Sequence, residues 1–216
     1  MYLSRLRVAR ARRGARRLLG SPHLMHGAIM ASFQQPKPEL GRVLWRVDND
    51  PNLTWLYVVS RYPPEFSHII EQAGLTTSND ECVTRRYGPL LDRLAVGQKW
   101  AFRLAANPSR SDSSRDGRRF GHVTAAQQEQ WLLDRVSNWG FDIAAVNGRR
   151  ELVVRDRVVQ RFRRGGEQVT LAKATFDGVL EVASVASLRE VLVNGAGHGK
   201  AYGCGLITLA RSAAKR

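Results

Sequence analysis

Apolar and polar positions alternate from the first residues of the chain. Tyr2, Ser4, Leu6 and Val8 fall on one side and Arg5 and Arg7 on the other, which predicts a strand over 2–9. After an arginine-rich connection, Ser21 and Pro22 open a helix, the serine as N-cap and the proline in the first turn. At about 100° per residue, Leu24, Met25, Ala28, Ile29 and Ala31 form its apolar face. His23, His26 and Gly27 fall together on the other side. Segments 43–47 (VLWRV) and 54–60 (TWLYVVS) alternate around the turn residues DNDPN, a hairpin pattern. A short helix over 65–73 and a strand near 82–87 complete the order β-α-β-β-α-β.

The same order then recurs. In 99–108 (KWAFRLAANP), Trp100, Phe102 and Leu104 alternate with Ala101 and Arg103. A basic polar loop, SRSDSSRDGRRFGH, leads to a helix from Thr124, with Gln127 placed for a capping box. Strand-like segments follow at 141–146 and 152–163. Another spans 167–182, with a bend or bulge expected near Asp177-Gly178. A helix from Ser184 to Asn194-Gly195 and a strand at 205–210 (GLITLA) close the chain. The expected fold class is α+β: two tandem ferredoxin-like (RRM-related) domains, 1–92 and 93–216, joined near 88–98. No repeat at the level of residues supports the duplication. Element order alone carries it.

Charge changes the picture most. The 216 residues hold 34 basic and 19 acidic side chains, a formal net charge of +15 and a pI near 11. Only five of the basic residues are lysine. GC-rich codons favour arginine, so the preference counts for less than the excess. Arginine forks match phosphate and stack on bases, and an excess this large points to nucleic acid as partner. A membrane surface is the weaker reading: there is no lipid-anchor signal and no apolar run of about 18–20 residues. The acid-poor N-terminus shares its composition with transit peptides, but its strand alternation argues against targeting. Cys82 and Cys204 match no CxxC spacing. Reduced thiols in a cytoplasmic protein are expected.

Three stretches carry candidate chemistry. In RVVQRFRRGGEQVTLAK (157–173), two β-type segments flank Gly165-Gly166. Arg161 and Arg163 share a face and Arg164 sits at the tip, a ribbon shaped to grip nucleic-acid phosphates. A charge-protected, solvated edge strand is the bland alternative. In NGAGHGKAYGCG (194–205), Gly195, Gly197, Gly199, Gly203 and Gly205 allow close backbone approach and Lys200 supplies charge. The spacing is neither a P-loop nor a dinucleotide fingerprint, so no nucleotide cofactor is expected. In SPHLMHGAI (21–29), His23 and His26 lack a third ligand at metal spacing, and no metal site is expected. Imidazoles in basic surroundings suit proton transfer to and from ribose and phosphate oxygens near neutral pH.

Together these stretches resemble the CasE family, the CRISPR RNA-processing endoribonucleases of the type I-E Cascade complex. The opening MYLSRLRVARA, the His26 helix, FRLAANP, the arginine-tipped hairpin and the terminal NGAGHGKAYGCGLITLA occur in order along the whole chain. The resemblance implies metal-independent cleavage of CRISPR repeat RNA beneath its stem-loop. Attack by a 2′-OH would leave a 2′,3′-cyclic phosphate and a 5′-OH. It also implies that the protein stays on the crRNA 3′ hairpin beside the other Cascade subunits. His26 falls at the family's catalytic histidine. Some members carry tyrosine where this chain has His23, so which of the two is acid or base stays open. Arg161, Arg163 and Arg164 fall in the region that members use on the RNA stem. Two other classes compete: a non-catalytic RNA-hairpin-binding subunit, and a basic ribosome-associated or DNA-binding protein. Cleavage, retention or neglect of labelled repeat RNA in EDTA separates the three.

Overall fold

The computed structural model describes residues 1–75, 82–112 and 118–212, without the side chains of residues 111, 112, 118, 119 and 164. The N-terminal alternation forms β1 (Tyr2–Arg7), which buries Ser4 and Leu6. The arginine-rich stretch after it is not a plain connection. It folds as α1 (Arg13–Gly20), because Ala15 and Leu18 sit at helical spacing and are buried while the arginines between them face outward. Then come α2 (Pro22–Met30) and a short α3 (Lys37–Leu40). The expected hairpin is β2 (Leu44–Asn49) and β3 (Thr54–Ser60), followed by α4 (Ser67–Ala73), β4 (Cys82–Arg86) and α5 (Gly88–Leu91). The four strands form an antiparallel sheet in the order β2-β3-β1-β4.

The second half begins with β5 (Lys99–Ala106). The basic loop carries a small hairpin that alternation alone does not reveal, β6 (Ser109–Asp112) and β7 (Arg118–Gly121). Its central residues, 113–117, lie outside the described residues. Helix α6 (Ala125–Val136) has the expected capping box, with Thr124 and Gln127 bonding reciprocally. Three short strands follow, β8 (Phe141–Ile143), β9 (Ala145–Val146) and β10 (Arg149–Arg150). The long ribbon is β11 (Leu152–Arg164) and β12 (Glu167–Val182), and α7 (Val185–Asn194) and β13 (Ile207–Arg211) end the fold. The second sheet runs β11-β12-β5-β13, with β8 pairing off β12. Matched position by position, this is the strand order of the first sheet. Both halves therefore have the ferredoxin-like β-α-β-β-α-β topology.

The register irregularity of the ribbon lies in β11, between Arg155 and Val158, and not near Asp177-Gly178. Asp156 takes a positive φ of 48° there. Gly178 serves another purpose: a Cβ on it would lie 2.3 Å from the carbonyl oxygen of Glu151.

Helices α1, α2 and α4 cover one face of the first sheet around Leu6, Met25, Ile29, Leu56 and Ile69. The opposite face contributes Leu44 and Val59 to the core of the second half, beside Leu104, Trp131 and Phe176. The sheets are thus joined through their inner faces. A buried ion network crosses that junction. Arg46, 2% exposed at its side chain, holds Asp48 through two bonds of 2.6 and 2.9 Å. It also donates to the carbonyl oxygens of Arg103 (2.7 Å) and Leu206 (3.0 Å) and to Thr208 Oγ1 (2.7 Å). Arg103 in turn holds Asp177 at 2.7 Å and Asp48 at 3.2 Å. Burial raises the Asp48 pKa, but its bonds to Arg46 and Arg103 outweigh burial and hold the carboxyl below its ordinary value.

Candidate functional site

Helix α2 is set by its N-terminus. Ser21 Oγ accepts from the Leu24 N–H and Pro22 occupies the first turn. Met25 and Ile29 anchor the helix in the core. The buried stripe is narrower than periodicity implies: Leu24 is 37% exposed and Ala31 is exposed, because only Pro22, Met25 and Ile29 face the sheet squarely. His23 stands exposed one turn before His26, which is half-buried with its Nδ1 shielded from solvent. The two histidines share a side of the helix but differ in exposure.

The glycine-rich segment packs directly against α2 and β2 through the 3₁₀ turn Lys200–Tyr202. Gly197, Gly199, Gly203 and Gly205 all have positive φ, so the segment coils tightly upon itself. At Gly203 a Cβ would come within 2.7 Å of the Trp45 ring, and at Gly205 within 2.7 Å of the Ala196 carbonyl oxygen. Those two glycines have an intramolecular reason: Gly203 lets the turn press onto β2, and Gly205 lets the segment close on Ala196. Lys200 lies in that turn with its stem against Gly205. Burial, and then the charge of Arg42, lowers the Lys200 pKa below that of an ordinary lysine. A cation that is poorly hydrated binds and stabilises phosphate oxygens more strongly than one in open water.

The arginine hairpin reaches the same place from the other side. Gly165 and Gly166, both at positive φ, form its two-residue turn. Phe162 meets Tyr202 edge to face, with ring centroids 4.8 Å apart. Arg161 and Arg163 are exposed, and strand alternation puts them on the face of β11 away from Phe162. For Arg164 only the backbone is described; it pairs with Glu167.

The histidine helix, the lysine turn and the hairpin therefore converge, although 23 and 202 are far apart in sequence. A cavity of about 80 Å³ lies among them, lined by Met25, Trp45, Gln160, Lys173 and Tyr202. Sequence reasoning missed Trp45, Gln160, Lys173 and Tyr202. Only Tyr202 had a visible signal, as the aromatic inside a run of glycines. Among the described residues, no group of three or more His, Cys, Asp and Glu side chains is placed to hold a metal ion. No described helix is long and apolar enough to cross a membrane.

A family model described as "CRISPR associated protein" matches residues 1–211. The chain belongs to that family. Among curated CRISPR-associated relatives, the CRISPR-associated endoribonuclease Cse3 of Thermus thermophilus is 28% identical over 97% of this chain and 100% of its own length. The Cascade subunit CasE of Escherichia coli is 27% identical over 84% of this chain and 96% of its own. Thermus thermophilus Cse3 bound to an RNA representing a pre-cleavage complex superposes with a TM-score of 0.81. That pair is 26% identical and covers 97% of this chain and 98% of the other. The CasE resemblance and the two ferredoxin-like halves read from the sequence agree with these relatives.

Proposed function

We propose that this CRISPR-associated protein is an endoribonuclease that cuts CRISPR precursor RNA at the base of the repeat stem-loop. It then remains on the crRNA 3′ hairpin as a subunit of Cascade. The observation that carries this reading is the packing of the His26 helix against the Lys200–Tyr202 turn and β11, with Phe162 of the arginine hairpin meeting Tyr202. Full-length likeness to Cse3, an endoribonuclease, supports it.

In the proposed chemistry one imidazole of the pair His26 and His23 takes the proton of a ribose 2′-OH. The 2′ oxygen bonds to the adjacent phosphorus as the bond from phosphorus to the 5′ oxygen breaks. That oxygen leaves with a proton from the conjugate acid, giving a 2′,3′-cyclic phosphate and a 5′-OH. Lys200 stabilises the charge that gathers on the non-bridging oxygens. No step calls for a metal ion. Cleavage should therefore proceed at one position in excess EDTA, with cyclic-phosphate and 5′-OH ends identified by mass spectrometry. A strict Mg²⁺ requirement or 3′-OH ends would refute the scheme. A shifted but intact RNA would identify a hairpin-binding subunit without catalysis.

The hairpin arginines hold the stem through phosphate and groove shape, because the A-form major groove admits few direct base contacts. Replacing Arg161, Arg163 and Arg164 with alanine should weaken binding and flatten the slope of log K against log salt. Each lost phosphate contact removes roughly 0.7–0.9 from that slope. An unchanged slope in a titration from low to high salt places the RNA elsewhere.

A further inference from the structure

At the far end of β13 from the glycine-rich turn lies a second site. The end of β4, α5, the start of β5 and the end of β13 enclose an open groove of about 600 Å³. Its floor is apolar, formed by Leu3, Leu90 and Leu209, and no acidic side chain lines it. Arg85, Arg86, Arg93 and Arg211 rim it, all exposed. None of the four guanidiniums forms an ion pair with a described residue. Four unpaired like charges around one groove repel one another, an arrangement that a polyanion relieves.

Two further features suit a strand of alternating phosphates and bases. Trp100 lines the groove half-buried, and its indole N–H is already used by Gln98 Oε1 at 3.1 Å. What the ring offers a ligand is therefore its face, a stacking platform. Tyr87, also in the wall, has a buried hydroxyl with no hydrogen-bond partner. Burial raises its pKa, so it remains a neutral O–H donor.

The groove is distinct from the histidine site. From Gly205 to Arg211 the chain runs about six residues, roughly 20 Å at strand spacing. An adjoining cleft of about 430 Å³ shares Leu3, Leu209 and Ala210 with the groove and extends along β13 past Tyr57 and Arg103. We infer that this groove binds single-stranded RNA that flanks the repeat hairpin, with Trp100 stacking a base and the four arginines holding phosphates. The inference rests on the RNA-processing reading above. An acidic segment of a partner protein could also meet the arginines. A flexible RNA strand fits better, because the four arginines spread around the rim suit successive phosphates and the Trp100 ring between them suits a base.

The test uses three fluorescent RNAs: the repeat hairpin alone, the hairpin with an unpaired 5′ or 3′ extension, and an oligouridine with no hairpin. One extension should tighten binding by roughly tenfold or more, the scale of a stacked base or two. The exposed pair Arg93→Glu/Arg211→Glu should abolish that gain and weaken oligouridine binding, while affinity for the hairpin alone and its cleavage stay at wild-type levels. A gain that is absent, or equal in wild type and variant, overturns the inference with the RNA-processing reading intact. Failure of the hairpin alone to bind or be cut would instead refute that reading, and the oligouridine comparison still decides the groove. If the variant keeps every RNA affinity but no longer co-purifies with other Cascade subunits, the groove belongs to a protein segment and the RNA inference is wrong.

Discussion

His26→Ala should slow single-turnover cleavage of repeat RNA by about 10²-fold or more. That is about 3 kcal/mol of lost transition-state stabilisation, at about 1.4 kcal/mol per tenfold. Affinity for the repeat hairpin should barely change. One half-buried imidazole adds little to binding beside the hairpin arginines, and Ser21, Met25 and Ile29 still fix the helix. His23 is the informative comparison because it shares the side of α2 but stands in solvent. If both imidazoles move protons, each alanine variant should lose activity, and each should remove one limb of a bell-shaped pH profile. If His23 only orients the RNA, His23→Tyr should keep most of the activity. A folded His26→Ala protein that cuts at the wild-type rate returns both histidines to the surface of an ordinary helix.

The legible parts of the fold were those governed by local periodicity. The β1 alternation, the Ser21-Pro22 start, the β2–β3 hairpin and the Thr124 capping box all follow from neighbours within a few residues. Helix α1 was not legible. Only Ala15 and Leu18 of its eight residues are buried, too few to stand out among arginines, and what holds it is tertiary contact with α2 and α4. The bulge at Asp156-Arg157 was misplaced for a similar reason. Gly178 marks a close approach from Glu151, and the sequence cannot distinguish that from a bend. At the candidate site, the histidines, the lysine and the arginines could be read as residue types suited to phosphate chemistry. That the elements carrying them pack together could not. It depends on Phe162 touching Tyr202 and on Gly203 seating against Trp45, contacts between residues 40 and more than 150 positions apart.

Arg46 was hidden for the opposite reason: within VLWRV it reads as the outward position of an alternating strand, yet it is the most enclosed charge among the described residues. Arg46→Ala should cost about 3–5 kcal/mol, because it leaves Asp48 buried with only the more distant Arg103 and strips the Leu206 carbonyl oxygen of its guanidinium donor. In a chain of this size that lowers Tm by about 10 °C, measurable by calorimetry. Arg46→Lys should recover only part of the loss, since one ammonium cannot reach two carbonyls, a hydroxyl and both oxygens of Asp48. The network also predicts a pH dependence. The Asp48 carboxyl is held below its ordinary pKa, so its stabilisation is present above about pH 3.9 and is lost as pH falls through the lower folded value. Asp48→Asn should therefore be less stable than wild type at neutral pH, and the gap should close in acid. A gap that stays constant from pH 7 down to about pH 2 would show that Asp48 gains nothing from Arg46 and Arg103 beyond shape. Because Arg46 ties β2 to the start of β13, the same substitution should loosen the seat of Trp45 on Gly203 and slow cleavage at temperatures where the protein is still folded. A variant with lowered Tm and an undiminished cleavage rate would confine the network to stability and separate it from placement of the histidine helix.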